Sequence, residues 1–177
     1  MKLVDVKKLL DDNGYTYTET IAPSRTEFYR QKGFNPSEDT GAFILISIPN
    51  PNHQIDIQII FNDATDNPDF NDLEFGGYWY ELFDCEEKYV AQELLTEIQR
   101  IINGNTHIIF STIVKNGVHW RWDGRYDDLP DVEMNSMDAF RNTVKKIKAP
   151  KSWWKRLLGK THVYEIFNWK SYEKIVK

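Results

Sequence analysis

The chain has little cysteine and carries no catalytic signature that stands out. Cys85 is its only cysteine, so no disulfide can close within it. Nothing in the sequence marks that thiol as activated, and it reads as a small buried hydrophobe. The longest apolar run, from Ala42 to Ile48, is broken at Ser47 and falls far short of the roughly 20 residues of a membrane helix. The opening Met1-Lys2-Leu3-Val4-Asp5-Val6 has no continuous apolar core and meets acid at once. It does not read as a secretory leader, and a cytoplasmic location is the expectation. No G-x-x-x-x-G-K-[ST], G-x-G-x-x-G or G-x-S-x-G motif occurs, which removes the usual signatures of phosphate, dinucleotide and serine-hydrolase sites. His53, His107, His119 and His162 are scattered without metal-ligand spacing. No cofactor or metal is expected.

Charge and aromatic residues are abundant, and the charge is unevenly placed. Residues 1–140 hold 11 Lys/Arg against 25 Asp/Glu, a balance of −14. Residues 141–177 hold 11 Lys/Arg against only Glu165 and Glu173, a balance of +9. With 6 Trp, 9 Tyr and 10 Phe among 177 residues, the chain has ample material for a core without staples. It reads as a single domain over 1–177, with an acidic body (1–140) and a basic C-terminal helical segment followed by a last strand (141–177).

Periodicity supplies the elements. Leu3, Val6 and Leu10 share one face of a helix over 3–13 that Gly14 ends. Residues 15–21 read as a strand, 26–30 as a second, and 33–41 as a loop. The dense run 43–48 suits a strand covered on both faces. In 54–61, Ile55, Ile57, Ile59 and Phe61 alternate with Gln54, Asp56 and Gln58, which predicts a strand with one wet face. An acidic loop runs from Asn62 to about Asp72, and 73–83 reads as one aromatic strand. Asp84 with Glu87 forms a capping box for a helix striped by Val90, Leu94, Ile98 and Ile101 and closed at Gly104.

Asn116-Gly117 is a strong hairpin signal. A two-residue turn there pairs Val114 with His119, Ile113 with Trp120 and Thr112 with Arg121. Helices follow over about 135–148 and 152–158, then a strand over 162–169 and a fraying end over 171–177. Short turns join neighbouring strands, so the class is α+β, a mostly antiparallel sheet with helices packed on it.

Several clusters are candidates for function. Asp63, Asp66, Asp69, Asp72 and Glu74 crowd one segment, and Asp123, Asp127 and Asp128 end the hairpin. The first group lacks the spacing and central glycine of a calcium loop and is interrupted by Pro68. A solvated loop or a protein-binding surface remains. Lys145, Lys146, Lys148, Lys151, Lys155 and Arg156 surround Trp153 and Trp154. Such a segment suits single-stranded nucleic acid, an anionic membrane surface, an acidic partner, or simply completion of the core. His119, Arg121 and Asp123 sit at alternate positions of one strand, an arrangement a hydrolase could use if a pocket lay beside it.

The general plan resembles that of small bacterial immunity proteins, which neutralise toxins of interbacterial competition. The likeness rests on a compact α+β chain without catalytic motifs, on the aromatic strand and helix from Tyr78-Trp79-Tyr80 through Gly104, and on the hairpin Val118 to Asp128 ending in acids. The basic tail departs from that pattern. The −14 balance of residues 1–140, with carboxylates concentrated in loops 62–74 and 123–133, leads to the expectation of a non-enzymatic protein that presents an acidic face to a basic partner, and the resemblance implies that this partner is a toxin. The other readings are a hydrolase-like enzyme with a pocket near the 107–128 hairpin, and nucleic-acid binding through 141–160.

Overall fold

The computed structural model describes residues 1–24, 41–76, 78–80, 86, 89–106, 108–115, 118–127 and 160–176, with backbone alone at 78–80, 109–115, 118–127, 160 and 162. The chain divides into two compact units, Met1–Gln99 and Arg100–Lys177. Both contain antiparallel sheet, and the class is α+β, as expected.

The first unit opens with helix α1 (Leu3–Asp12), whose Leu3, Val6 and Leu10 are buried. Its end follows from Gly14. With φ 72°, Gly14 lets its own N–H reach the Asp11 carbonyl and the Tyr15 N–H reach the Leu10 carbonyl. That pair of bonds satisfies carbonyls that a helix end otherwise leaves orphaned. Strands β1 (Thr18–Ala22), β2 (Phe43–Ile48), β3 (Ile57–Phe61), β4 (Phe70–Phe75) and β5 (Tyr78–Tyr80) then form a five-stranded meander in chain order. Every neighbouring pair is antiparallel.

Strand β2 is buried at Phe43, Ile44, Leu45, Ile46 and Ile48. Consecutive burial requires cover on both faces, as its composition predicts. One side is partly accounted for by a cluster of Phe43, Leu45 and Ile60, with Ala22 against it.

Three expectations change here. Strand β3 starts at Ile57 rather than Gln54, and its second face is not wet, because Ile60 is fully buried. The segment read as one strand over 73–83 is a hairpin. Gly76 takes φ 63°, and Phe75 pairs with Tyr78 across the turn. A Gly-Gly pair between strands is itself a two-residue turn signal, because glycine enters positive φ at no steric cost. The acidic loop is also shorter, since β4 begins at Phe70.

Helix α2 (Val90–Ile102) buries Leu94, Ile98 and Ile101. The Asp84–Glu87 cap lies outside the described residues. Its C-terminus repeats the closure of α1. The Gly104 N–H bonds the Ile101 carbonyl, and the Asn105 N–H bonds the Arg100 carbonyl, with Gly104 at φ 79°. A Cβ on Gly104 would stand 3.2 Å from the Lys170 side chain. Gly104→Ala should therefore cost about 1–2 kcal/mol, from the left-handed backbone plus the crowding. Chemical denaturation measures this, and a neutral substitution would contradict the assigned geometry.

The second unit holds β6 (Ile108–Lys115), β7 (Val118–Asp127), β8 (Lys160–Asn168) and β9 (Ser171–Val176), ordered β7-β6-β8-β9. Lys115 pairs with Val118 and Val114 with His119, as the Asn116-Gly117 signal predicts. Beyond them the register shifts twice, so Ile113 faces Arg121 and Thr112 faces Trp122. The expected pairs Ile113–Trp120 and Thr112–Arg121 do not form. Each bulge inserts one residue into β7 and cannot be anticipated from turn chemistry.

The end expected to fray is an ordered strand. Asn168, buried, accepts hydrogen bonds on Oδ1 from the Lys170 N–H at 2.9 Å, the Ser171 N–H at 2.9 Å and the Ser171 hydroxyl at 3.0 Å. One side chain thus builds the β8–β9 turn without glycine. The helices expected over 135–148 and 152–158, and the segment 25–40, lie outside the described residues.

Across the same hairpin, the Tyr172 hydroxyl donates to Glu165 at 2.5 Å. Burial first, then this bond and the carboxylate's charge, hold the phenol well above its ordinary range. A raised value means that the contribution is complete below the unfolded tyrosine range and is lost as pH climbs through the folded one. Ultraviolet titration should find Tyr172 ionising after ordinary tyrosines, with that late component absent from Tyr172→Phe. Simultaneous ionisation of all tyrosines would contradict the pairing.

Candidate acidic docking face

The division into units redistributes the charge. Residues 1–99 carry 7 Lys/Arg against 19 Asp/Glu, a balance of −12, and residues 100–177 carry 15 against 8, a balance of +7. The two sum to the chain's −5. The acidic excess is therefore concentrated in the unit built on the first sheet.

The five acids singled out in 63–74 separate into two groups. Asp63, Asp66 and Asp69 are exposed, whereas Asp72 and Glu74 are buried at 9% and 1%. The last two lie within β4. They cannot belong to an exposed face, because strand formation has carried both into the interior. Asn71 donates to Asp72 in a short side-chain bond.

The exposed three are held in a shaped loop over 62–69. Asp63 Oδ1 accepts from the Thr65 hydroxyl at 2.6 Å and the Thr65 N–H at 3.1 Å. These two bonds, the hydroxyl's the larger, lower the Asp63 carboxyl below its usual range. The same residue's carbonyl accepts from the Ile44 N–H, tying the loop to β2.

Helix α1 grips the far end of the loop. The Leu3 N–H donates to the Pro68 carbonyl at 3.0 Å, and the Phe70 N–H donates to the Met1 carbonyl at 2.8 Å. The Val4 N–H, one of the helix's orphan donors, is accepted by Asn67 Oδ1 at 3.1 Å. That is a cap supplied from outside the helix, meeting the need of a helix start for acceptors. Lys2 Nζ lies 2.7 Å from Asp69. Both partners are about half exposed, so the pair adds little stability and chiefly sets position.

Helix α1 contributes exposed acids of its own, Asp5, Asp11 and Asp12. Asp5 accepts from the Lys2 N–H at 3.2 Å. The opening of α1 and the loop thus form one continuous region with carboxylates from both. The sequence reading missed this, because nothing in a helix period shows that a loop some 60 residues away will cap it. Lys7 is engaged by Glu19 of β1, whose hydrogen bond raises it above the ordinary lysine range.

The remaining candidates are less defined. At Asp123 and Asp127 the backbone lies in β7, and Asp128 lies outside the described residues. For His119, Arg121 and Asp123 the register shifts interrupt the regular alternation that would align them. Lys145, Lys146, Lys148, Lys151, Lys155 and Arg156 lie outside the described residues. Among the described residues, no three His, Cys, Asp or Glu side chains converge on a metal-sized site, and no helix is long and apolar enough to cross a membrane. No family model, curated protein or solved structure matches the chain.

Proposed function

We propose that this is a non-enzymatic binding protein whose first unit presents an acidic face to a basic protein partner, in the manner of a toxin-neutralising immunity protein. The observation that carries the reading is the −12 balance of residues 1–99, with exposed carboxylates on both α1 and the 62–69 loop. A field of one sign on one unit speeds encounter with a partner of the other sign and rejects like-charged proteins. Bonds from α1 hold the loop in place, so little ordering entropy remains to oppose binding there.

The test is comparative capture from the native cell. The variant Asp63→Asn/Asp66→Lys removes charge while keeping the Asn side-chain oxygen as acceptor for Thr65. A basic protein should be retained by the parent chain and lost or strongly depleted on the variant. Capture of an acidic protein, or equal capture by both chains, would overturn the reading.

A further inference from the structure

Between α1 and the start of α2 lies an open groove of about 370 Å³, lined by Met1, Asp5, Lys8, Leu9, Asp12 and Ala91. Four of these, Asp5, Lys8, Leu9 and Asp12, come from α1 and Met1 immediately precedes it, while Asp5, Lys8 and Asp12 follow one another at intervals of three and four residues. That spacing keeps them on one face of a helix, opposite the buried Leu3, Val6 and Leu10. Met1, Leu9 and Ala91 are half-buried and form an apolar floor, while Asp5, Lys8 and Asp12 are exposed. A carboxylate therefore stands toward each end of the groove, with an ammonium between them. Seven residues of helix separate Asp5 from Asp12, about 10 Å of rise.

From this arrangement we infer that the groove is the seat of a helical segment of the basic partner, one bearing Lys or Arg at positions i and i+7 with a Leu- or Met-sized residue between them. The inference rests on the acidic-face reading and adds where the partner docks and what pattern it carries. Two cations one heptad apart meet both carboxylates at once. The intervening apolar side chain covers Leu9 and Ala91, and a helix laid in a groove is anchored at such spaced positions. Lys8 supplies negative selection, because it repels a segment whose positive charge is continuous along that face. The −12 balance of the surrounding unit sets the sign of the occupant and disfavours a second copy of the same unit.

The experiment uses the full chain, isotope-labelled for amide NMR, and three synthetic helical peptides. One carries Lys at i and i+7 with Leu at i+3 and i+4. The second has the same composition with the two Lys adjacent. The third replaces both Lys by Glu. The first should shift the amides of Leu9, Asp12 and Ala91 saturably and bind more tightly than the second, and the Glu peptide should not bind. Asp12→Lys turns one attraction into a repulsion and should weaken the first peptide about fivefold or more, whereas Lys8→Glu should tighten it. Both positions are exposed, so neither change threatens the fold. Equal binding of the two Lys peptides, or no response to either variant, would overturn the groove assignment. Shifts confined to the 62–69 loop would overturn the groove while leaving the acidic face standing. Binding of the Glu peptide would overturn both.

Discussion

Phe61→Ala is expected to destabilise the first unit by about 3–5 kcal/mol, the largest effect of any substitution considered for it. Phe61 has no exposed surface. Its ring meets that of Phe70 edge to face, with centroids 6.4 Å apart and planes at 74°, an arrangement that adds to the burial energy. The two residues are paired across β3 and β4 just past a register shift. Strands fix the cavity walls on both sides, so the site cannot readily collapse. Native stabilities are about 5–15 kcal/mol, so this one change consumes a large share. Phe61→Leu keeps most of the volume and should cost well under half as much. Denaturant titration of the three chains provides the check. A loss below about 1 kcal/mol for Phe61→Ala would contradict the burial assigned to β3.

Phe167→Ala should produce a comparable loss, about 3–5 kcal/mol, in the second unit. Phe167 is 2% exposed, pairs with Ile108 across β6 and with Tyr172 across β9, and stacks on the Tyr172 ring at 6.3 Å. Tyr172→Phe is the informative control. It preserves the stacked ring and removes only the hydroxyl that Glu165 accepts. Because Glu165 is half-buried and can turn to water, the control should cost about 1 kcal/mol or less. Amide exchange should place the Phe167→Ala loss in the β8–β9 pairing. If that pairing kept its protection while the rest of the unit lost its own, the ordered β9 described above would be contradicted.

Local rules made much of this fold legible. The helix stripes at Leu3, Val6 and Leu10 and at Leu94, Ile98 and Ile101, the glycine closures at Gly14 and Gly104, and the Asn116-Gly117 turn all follow from period and backbone freedom. Other features arise between segments distant in sequence. Asp72 and Glu74 read as surface because a carboxylate is almost never fully buried alone. Their burial depends on what covers β4, which a single strand's pattern does not encode. The register shifts in β7 are likewise a property of the pair, not of either strand. Strand β9 was missed because its turn is made by a buried Asn168 rather than a Gly-rich dipeptide. Within the candidate site, the concentration of acid was plain from composition. The cap that Asn67 places on α1 and the groove beside Asp5 and Asp12 were not, because each joins segments distant in sequence.

The measurement that bears most directly on the acidic face is the association rate of the full chain with its captured basic partner as salt is raised from about 0.1 to 1 M. Over that range the screening length falls from about 10 Å to about 3 Å. A unit whose charge steers encounter should lose at least about tenfold in rate, and Asp63→Asn/Asp66→Lys should begin slower and depend less on salt. A rate that stays constant across the series, with the variant indistinguishable from the parent chain, would contradict the account.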